Sequence, residues 1–291
     1  MIKLAKEKKK HFNLLKLIIF IILIIASVIA YGFFIEPKLI NVNEEKITIT
    51  NLTDNFDGFK IVQISDLHYG KAFNQKSLQK LVKSINEQKP DIVVLTGDLI
   101  DKKTYITAKI AEKISKELNK IETTSGKYAI SGEDDLKFDE WINIIQNSGF
   151  TDLNNTYNTI YKKGYVNIFI AGASALKNQN INDKLKTSID YLNSFETNGP
   201  IYKVLLVHQP DDITDLTVNP FNLILAGHNH GGEINIPKVG PLIHKTGAKK
   251  YYNNHYTIEN SDLYISNGLG SIYNFRLFNT PSYNVYRLTK N

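Results

Sequence analysis

Hydrophobic and polar residues divide the chain into one long apolar stretch and a larger region of short segments. Leu17–Ile35 is an uncharged apolar run of 19 residues, about the length that a helix needs to cross the hydrocarbon core of a bilayer. A polar linker is predicted at Glu36–Glu45, and the alternating residues of Lys46–Asn51 predict a first strand. The pattern predicts a basic tail (1–16), a membrane anchor (17–35), a linker with the first strand (36–55) and one folded domain (56–291).

Strands and helices alternate within the predicted domain. Apolar residues at Leu78, Leu81, Val82 and Ile85 are spaced as on one face of a helix. The alternation predicts an α/β fold. The remaining predicted helices are Thr107–Asn119, Phe138–Gln146 and Asp183–Phe195, and the predicted strands between them are Lys127–Ile130 and Val166–Ala171.

A cleaved signal peptide is the alternative to an anchor at Leu17–Ile35. Its apolar core would be shorter, about 7–15 residues, and a cleavage site of small residues would follow it. The small residues Ala26, Ser27 and Ala30 lie inside the apolar run rather than after it. We therefore expect an uncleaved single-pass anchor in the cell membrane.

Charge predicts the orientation of this anchor. Six lysines and one glutamate precede the span within residues 1–16, whereas acidic residues occur soon after it. Because positive residues stay on the cytoplasmic side, the amino terminus should be cytoplasmic and the domain extracytoplasmic. The tail supplies +5 of the formal net charge of +6, so the domain has no basic surface of the kind that binds nucleic acid. The sequence indicates no obligate protein partner.

Four apolar segments end in residue types that bind metal ions. Lys60–Gly70, Asp91–Asp101, Lys203–Pro210 and Leu223–Gly232 each end in aspartate, histidine or both. Singly, such residues are more often loop caps or solvated turns. Together they change the balance, because parallel strands of a sheet bring their carboxyl ends to one edge. We expect six side chains to converge there: Asp66, His68, Asp98, His208, His228 and His230.

Six imidazole and carboxylate ligands exceed the need of one catalytic metal. The chain has no cysteine, and nitrogen and oxygen ligands suit Mn, Fe or Zn rather than an iron–sulfur cluster. Two divalent metal ions are therefore predicted, with Asp98 as the bridging ligand. Such a pair can activate a water and neutralise a phosphoryl group.

These motifs resemble those of the calcineurin-like metallophosphoesterases, in particular their membrane-associated bacterial branch. The resemblance covers about Phe56 to Leu288 and implies two mixed β-sheets packed as a sandwich with flanking helices. It implies that Asp66, His68, Asp98 and His230 surround one metal, and that Asp98, His208 and His228 hold the other. The motifs are Ser65–His68, Thr96–Asp98, Leu205–Asp211, Ala226–Gly232 and Ser266–Gly270, followed by Arg276 and Pro281.

One element departs from the family pattern. The family usually has Gly-Asn-His followed by Asp or Glu, where the asparagine binds the second metal and the histidine assists the leaving group. Here the stretch is Gly132-Glu133-Asp134-Asp135. Glu133 would still bind a metal, but its charge would weaken the attraction for an anionic phosphate. Asp134 would act as a proton donor near neutral pH only if its pKa were raised.

Two functions remain open at this point. The first is a membrane-anchored, two-metal hydrolase of phosphomonoesters or phosphodiesters, with Asp98 and Asp134 as catalytic residues and a lipid-linked or envelope-related substrate as one option. The second is a degenerate metallophosphoesterase fold that serves as a non-catalytic binding module at the membrane. For substrate binding, Arg276 would contact a phosphate or a structural carboxylate, and Asn229 would form a turn or donate a hydrogen bond.

Overall fold

The computed structural model describes residues 2–50, 52–70, 72–162, 165–194 and 201–291. Helix α1 spans Ile2–Phe34 and includes residues 2–16 of the basic tail and the apolar run as far as Phe34. Four further helices follow within the described residues. They are α2 (Gln75–Gln88), α3 (Ala108–Asn119), α4 (Glu140–Asn147) and α5 (Ile181–Ser194).

The strands form two six-stranded sheets and one short ribbon. The first sheet contains β1 (Asn41–Ile49), β2 (Lys60–Ile64), β3 (Ile92–Thr96), β4 (Lys127–Ile130), β5 (Thr151–Asp152) and β14 (Ser282–Lys290). The second contains β6 (Thr156–Lys162), β7 (Tyr165–Gly172), β8 (Tyr202–Val207), β9 (Leu223–Ala226), β12 (His255–Ile258) and β13 (Ser261–Ile265). The ribbon pairs β10 (Asn235–Ile236) with β11 (Gly240–Pro241).

Both sheets mix parallel and antiparallel pairs. In the first sheet the order is β1-β14-β2-β3-β4-β5, and β2, β3, β4 and β5 run parallel. In the second the order is β12-β13-β9-β8-β7-β6, and β7, β8, β9 and β13 run parallel. The implied sandwich is confirmed, and its parallel strands end at a common edge.

Alternation along each strand produces three apolar layers. Ile61 and Val94 of the first sheet and Val204 and Leu225 of the second belong to the core between the sheets. The intervening residues face outward, because successive side chains of a strand point to opposite faces. Those of the first sheet pack under α2, α3 and α4, and those of the second pack with α5.

The predicted elements of the domain are confirmed with small shifts at their ends. Strand β4 has the predicted bounds, α3 begins one residue later than predicted, and α4 covers Glu140–Asn147 with Trp141 and Ile145 buried. The last residue of the predicted helix Asp183–Phe195 lies outside the described residues.

The predicted polar linker at Glu36–Glu45 was wrong. Glu36–Lys38 form a short 3-10 turn, and β1 begins at Asn41, five positions before the predicted strand. Strand β1 pairs in parallel with β14 from Asn41↔Ser282 to Ile49↔Lys290. Residues Asn41–Glu45 are mostly polar, so hydrophobic alternation does not mark this first part of the strand. Its stability comes from backbone pairing with the neighbouring strand.

One helix of the described chain is long and apolar enough to cross a membrane. The candidate span is Leu14–Lys38, with a mean hydropathy of 3.0. Its large apolar side chains from Leu14 to Ile25 are exposed, unlike those of a helix that packs in a protein core. The apolar helix that the sequence predicts is therefore present, and it leads into the folded domain through a single turn.

Candidate metal centre

The predicted ligands lie together where parallel strands of both sheets end. The first sheet presents them after β2, β3 and β4, and the second presents them after β8 and β9. Their side chains are buried except for Glu133, which is partly exposed. The structure thus brings together all seven predicted metal ligands: Asp66, His68, Asp98, Glu133, His208, His228 and His230.

Five of these ligands have a left-handed backbone. Their φ angles lie between 44° and 70°, a region in which non-glycine residues cost on the order of 1–3 kcal/mol each. Such strain persists only where the surrounding structure enforces it. The sharp turns direct side chains that are two positions apart in the chain into one space. The five residues are Asp66, His68, Asp98, His228 and His230.

Asp66, His68 and His230 form the first ligand group. The Nε2 atoms of the two histidines are 3.0 Å apart, and His230 Nε2 is 3.2 Å from Asp66 Oδ1. Three donor atoms therefore face one small space. The Asp66 carboxylate also accepts a hydrogen bond from the backbone N–H of His228 at 2.9 Å, which links this group to the loop of the next.

Asp98, Glu133, His208 and His228 form the second group. His208 Nε2 is 3.2 Å from Glu133 Oε2, and His228 Nδ1 is 3.0 Å from Glu133 Oε1. Glu133 thus takes the place between the two imidazoles that the family pattern gives to an asparagine. The Gln209 side chain donates a hydrogen bond to Glu133 Oε2 at 3.0 Å and orients the carboxylate.

Asp98 lies between the two groups. Its Oδ2 atom is 3.6 Å from His68 Nε2 and 3.4 Å from His208 Nε2. Its Oδ1 atom accepts a hydrogen bond from the backbone N–H of Asp134 at 2.9 Å. One carboxylate therefore faces a histidine of each group, as a bridging ligand must.

Two imidazoles are oriented by a second contact on the ring atom that faces away from the centre. His208 Nδ1 lies 2.8 Å from the carbonyl of Thr96, and His228 Nε2 lies 2.8 Å from the carbonyl of Thr246. Because a carbonyl only accepts, each of these nitrogens carries the proton. The opposite nitrogen of each ring is then free to bind a metal, as is usual for histidine ligands.

Two nitrogen atoms test whether the cluster fits metal ions. His208 Nε2 and His228 Nδ1 are fully buried, and although Glu133 oxygens lie 3.2 and 3.0 Å away, neither nitrogen makes a well-aligned hydrogen bond with the described residues. A buried polar atom without a partner costs about 1–3 kcal/mol. Both atoms point into the second group, beside oxygen donors that divalent cations accept. The residues present therefore fit a pair of divalent metal ions.

The charges of the cluster support the same conclusion. Burial opposes ionisation of Asp66 and Glu133, yet the contacts of Asp66 with His230 and of Glu133 with His208 and His228 lower the pKa of both carboxyl groups. Burial also disfavours the charged form of His208, but Asp98 and Glu133 raise its pKa above the usual value. Without cations, the carboxylates thus depend on imidazolium for charge balance. Burial and His230 lower the pKa of His68 to about 4, which keeps it neutral, as a ligand must be.

Two glycines allow the loops to approach this closely. A Cβ atom on Gly132 would overlap the Asp98 carboxylate, and one on Gly227 would overlap the Ser65 hydroxyl. The Gly132-Glu133 and Gly227-His228 pairs of the sequence therefore reflect close packing of neighbouring loops against the ligands.

Asp134 and Asp135 play different parts in the altered element. Asp134 Oδ1 is 2.5 Å from Lys137 Nζ, and its Oδ2 is 3.6 Å from His68 Nδ1. Asp135 accepts hydrogen bonds from the backbone N–H groups of Gly132 and Ile100, both at 3.0 Å. Burial, followed by the charge of Asp98, raises the pKa of Asp135 to about 7. Asp135 holds the loop, whereas Asp134 reaches the centre.

The two predicted substrate-binding residues lie close to the cluster but are turned to other contacts. Arg276 is fully buried, and its guanidinium donates to the backbone carbonyls of His230 and Asn267 at 3.0 and 2.8 Å. Asn229 is also buried, and its amide donates to the carbonyl of Tyr252 at 2.6 Å. Neither placement supports a contact with substrate, and both substrate-binding roles stay predictions.

The sequence reasoning missed Glu233 and Lys245. Glu233 Oε1 lies 3.1 Å from His230 Nδ1 and accepts a hydrogen bond from the Ile272 N–H at 2.7 Å. Burial opposes ionisation of Glu233, but the His230 contacts lower its pKa to about 2. The sequence signal for this contact was an acidic residue, Glu233, three positions after the predicted ligand His230. Lys245, which burial gives a lowered pKa, faces Asp66 and Glu233, and nothing in its sequence neighbourhood marked it.

A cavity of about 850 Å³ opens above the centre. This size is within the usual range for small-molecule sites. His68, Asp98, Glu133 and His228 form its floor. Its walls carry the lysines Lys102, Lys137, Lys177, Lys184 and Lys245.

Comparison with known proteins agrees with this geometry. Residues 59–232 match the family model described as calcineurin-like phosphoesterase. The chain belongs to this family, whose members are phosphoesterases with two-metal centres. It is 32% identical over 244 residues to the uncharacterized metallophosphoesterase YkuE of Bacillus subtilis, covering 82% of each chain.

Two further relatives have named activities. The phosphodiesterase YaeI of Escherichia coli is 24% identical over 272 residues, with 90% of this chain and 93% of that one covered. The UDP-2,3-diacylglucosamine pyrophosphatase LpxG of Chlamydia trachomatis is 24% identical over 304 residues, with 85% and 88% covered. Both similarities extend well beyond the region that matches the family model.

Removal of His208 should reduce metal binding. We expect the unaltered chain to hold about two metal equivalents and His208→Ala to hold about one or fewer, because an orienting contact and a ligand are lost together. Elemental analysis of the purified chain gives the number. His255→Ala is the matched control, since that exposed histidine pairs with Asp262. Equal metal content in both variants would contradict the assignment.

Proposed function

We propose that the chain is a membrane-anchored hydrolase of phosphoesters that depends on two divalent metal ions. The observation that carries the proposal is the pair of ligand groups with Asp98 between them. Asp66, His68, Asp98 and His230 would hold one ion, and Asp98, Glu133, His208 and His228 the other. Mn, Fe and Zn all suit these donors.

Two ions in these positions would supply Lewis-acid activation of water and neutralisation of phosphoryl charge. The protein supplies the geometry for this chemistry. The second contacts of His208 and His228 present one chosen nitrogen each to the centre. Asp98 is held by the Asp134 N–H and would keep the two ligand groups in register. Such preorganisation lowers the barrier because it costs nothing during the reaction.

Glu133 reduces the positive charge of the centre without reversing it. Asp66, Asp98 and Glu133 provide three negative charges, and two divalent cations provide four positive ones, which leaves a net charge of +1. An asparagine at position 133 would leave +2. The centre would thus still attract a phosphate, but more weakly, and the lysines of the cavity walls would compensate.

The alternative function is a non-catalytic binding module. Glu133 and Asp134, which replace the asparagine and histidine of the family pattern, favour it, since both changes add negative charge near the site of an anionic substrate. The orphaned nitrogens and the left-handed turns favour the enzyme, because such strain is retained where a working site needs it.

Membrane attachment through α1 is part of the same proposal. The apolar run from Leu17 to Ile35 would span the bilayer, with the lysine-rich residues 1–16 in the cytoplasm and the cavity on the outer side. Apart from the metal ligands, five lysines and four acidic residues, Asp134, Asp212, Asp215 and Glu233, line the cavity. This slight excess of positive charge would add to that of two cations in favour of an anionic phosphoester. The named activity of LpxG on a diacylated sugar nucleotide supports a lipid-linked phosphoester as one substrate class.

The proposal is tested by turnover of a chromogenic phosphodiester by the full chain in detergent, with Mn, Fe or Zn added. Activity above that of Asp98→Asn is expected, because the substitution removes the carboxylate shared by both groups. Chelation should abolish it, and renewed metal should restore it. If the unaltered chain shows no more activity than Asp98→Asn with every metal and with several phosphoesters, the hydrolase is excluded and the non-catalytic binding module is the remaining function.

Asp134 is proposed to relay a proton to the leaving group from the Lys137 ammonium, which lies 2.5 Å from Asp134 Oδ1. Asp134→Asn should lower kcat about 10²-fold for an alkyl ester, whose leaving group needs a proton, and far less for a nitrophenyl ester. Asp139→Asn, an exposed aspartate five positions later, is the matched control. An equal loss for both esters would mean that Asp134 instead positions His68.

Lys245 is proposed to bind a phosphate oxygen of the substrate. Lys245→Met should raise KM about tenfold with a smaller effect on kcat, because a charge-assisted hydrogen bond contributes about 1.5 kcal/mol. The exposed Lys249 lies four positions later and outside the residues that line the cavity, and Lys249→Met is the control. Equal values of KM for the two variants would exclude this role.

A further inference from the structure

Six exposed apolar side chains lie on the ribbon and the loop at one side of the cavity. None of them has a role in the proposed phosphoesterase reaction. Ile236 and Val239 belong to the ribbon of β10 and β11 and the turn between them, and Leu242 and Ile243 follow it. Tyr273 and Phe278 project from the loop before β14. We call this set the apolar rim: Ile236, Val239, Leu242, Ile243, Tyr273 and Phe278.

The loop that carries Tyr273 and Phe278 is bound to the end of α1. The carbonyl of Gly32 accepts a hydrogen bond from the Arg276 N–H at 3.0 Å, and the rings of Phe33 and Phe275 lie 4.6 Å apart. A Cβ atom on Gly32 would overlap the Phe275 ring. The loop therefore packs against the last turn of the helix at a position that only glycine permits.

Glu36 fixes the same loop from the other side. Its carboxylate accepts hydrogen bonds from the N–H groups of Phe278 and Asn279 at 3.0 and 2.7 Å, and it is 2% exposed. The ribbon is joined to the loop in turn, since the Asn235 N–H donates to the Leu277 carbonyl and the Leu277 N–H to the Glu233 carbonyl. Helix end, loop and ribbon are thus connected by hydrogen bonds.

The length of α1 places this junction relative to a bilayer. At about 1.5 Å per residue, Leu17–Ile35 covers about 28 Å, close to the hydrocarbon thickness of about 30 Å. Gly32 and Phe33 then lie just inside the outer boundary of the hydrocarbon. A loop that contacts both residues must lie at that boundary too, together with the ribbon bonded to it.

We propose that the apolar rim lies in the outer interface of the bilayer and forms a second membrane contact beside α1. The composition fits this environment, because aromatic rings, aliphatic side chains and a lysine are the residues that occupy the lipid interface. Lys238, in the turn of the ribbon, supplies the cation for lipid phosphates. The inference rests on the proposed function only for the membrane anchor.

The contact determines what can reach the cavity. Ile243 and Tyr273 line the cavity and also belong to the apolar rim. One wall of the cavity is therefore continuous with the surface that faces the lipid. A phosphoester carried on a membrane lipid enters from this side with its acyl chains still in the bilayer, so the rim selects lipid-linked substrates over soluble ones.

Site-specific labelling tests the contact without any need for turnover. The chain has no cysteine, so Val239→Cys and Val218→Cys each accept one environment-sensitive fluorophore. Both valines are exposed, at 74% and 59%, and Val218 precedes β9 at the end remote from the metal ligands. The labelled full chain is reconstituted in vesicles of phosphatidylcholine and phosphatidylglycerol, with part of the lipid spin-labelled near the top of its acyl chains.

The Val239 label is expected to emit at shorter wavelength and to be quenched severalfold more by spin-labelled lipid than the Val218 label. Leu242→Cys, at a second exposed position of the rim, should behave as Val239→Cys does. Equal quenching at all three positions, or none at Val239 and Leu242, overturns the proposal. A blue shift without quenching also overturns it, because a second copy or a partner protein then covers the rim. Loss of phosphoesterase activity would leave these results unchanged.

Discussion

Two buried carboxylates, of Asp66 and Asp98, and the partly exposed carboxylate of Glu133 face four imidazoles in this protein, and their charges require a positive counterpart. Asp66, Asp98 and Glu133 cannot all be ionised in a dry space without one, since an unpaired buried charge is far too costly. Without metal, His208 supplies part of it by binding a proton, as its raised pKa indicates. A pair of divalent cations meets the same need and frees those nitrogens for coordination. The surrounding contacts, from the Thr96 carbonyl to Glu233, are arranged for that second state.

The sandwich makes this density of charge tolerable. Parallel strands of two different sheets end at one edge, so each contributes a single turn and no strand needs to carry more than two ligands. The cores on both sides of the sheets stabilise those turns against their own backbone strain. Left-handed φ angles at five ligand positions are the local cost, and the apolar layers offset it.

Hydrogen bonds join the end of α1 to the loop that also contacts the His230 loop of the candidate metal centre. Arg276 donates to the His230 carbonyl, and its own backbone N–H donates to Gly32 at the end of the helix. Asn279 likewise contacts both the His230 carbonyl and Glu36. The residues of the carboxy-terminal motif thus bind the metal-ligand loop on one side and the helix end on the other, which explains why a buried arginine stands there instead of in the cavity.

The sequence by itself determined the apolar helix, the alternation of strands and helices, and the candidate metal ligands that the fold brings together. Each of these depends on local spacing: 19 uncharged residues, a helical period, or a histidine or aspartate just after an apolar run. The first half of strand β1 and the contact of Glu233 with the Ile272 N–H depend instead on partners far along the chain. Local alternation marks only the second half of β1, from Lys46, because Asn41–Glu45 are mostly polar and are ordered by pairing with β14 more than two hundred residues later.

Only the tertiary structure decided which contacts join helix α1, the loop before β14 and the cavity. Glu36 reads as a linker residue until its carboxylate is seen against the N–H groups of Phe278 and Asn279. The sequence leaves Arg276 open as a ligand of a phosphate or of a structural carboxylate, whereas in the structure its guanidinium lies among backbone carbonyls. Residue type and spacing specify which atoms are available for bonding. Which atoms they meet depends on long-range packing, because contacts between distant segments leave no periodic trace in the chain.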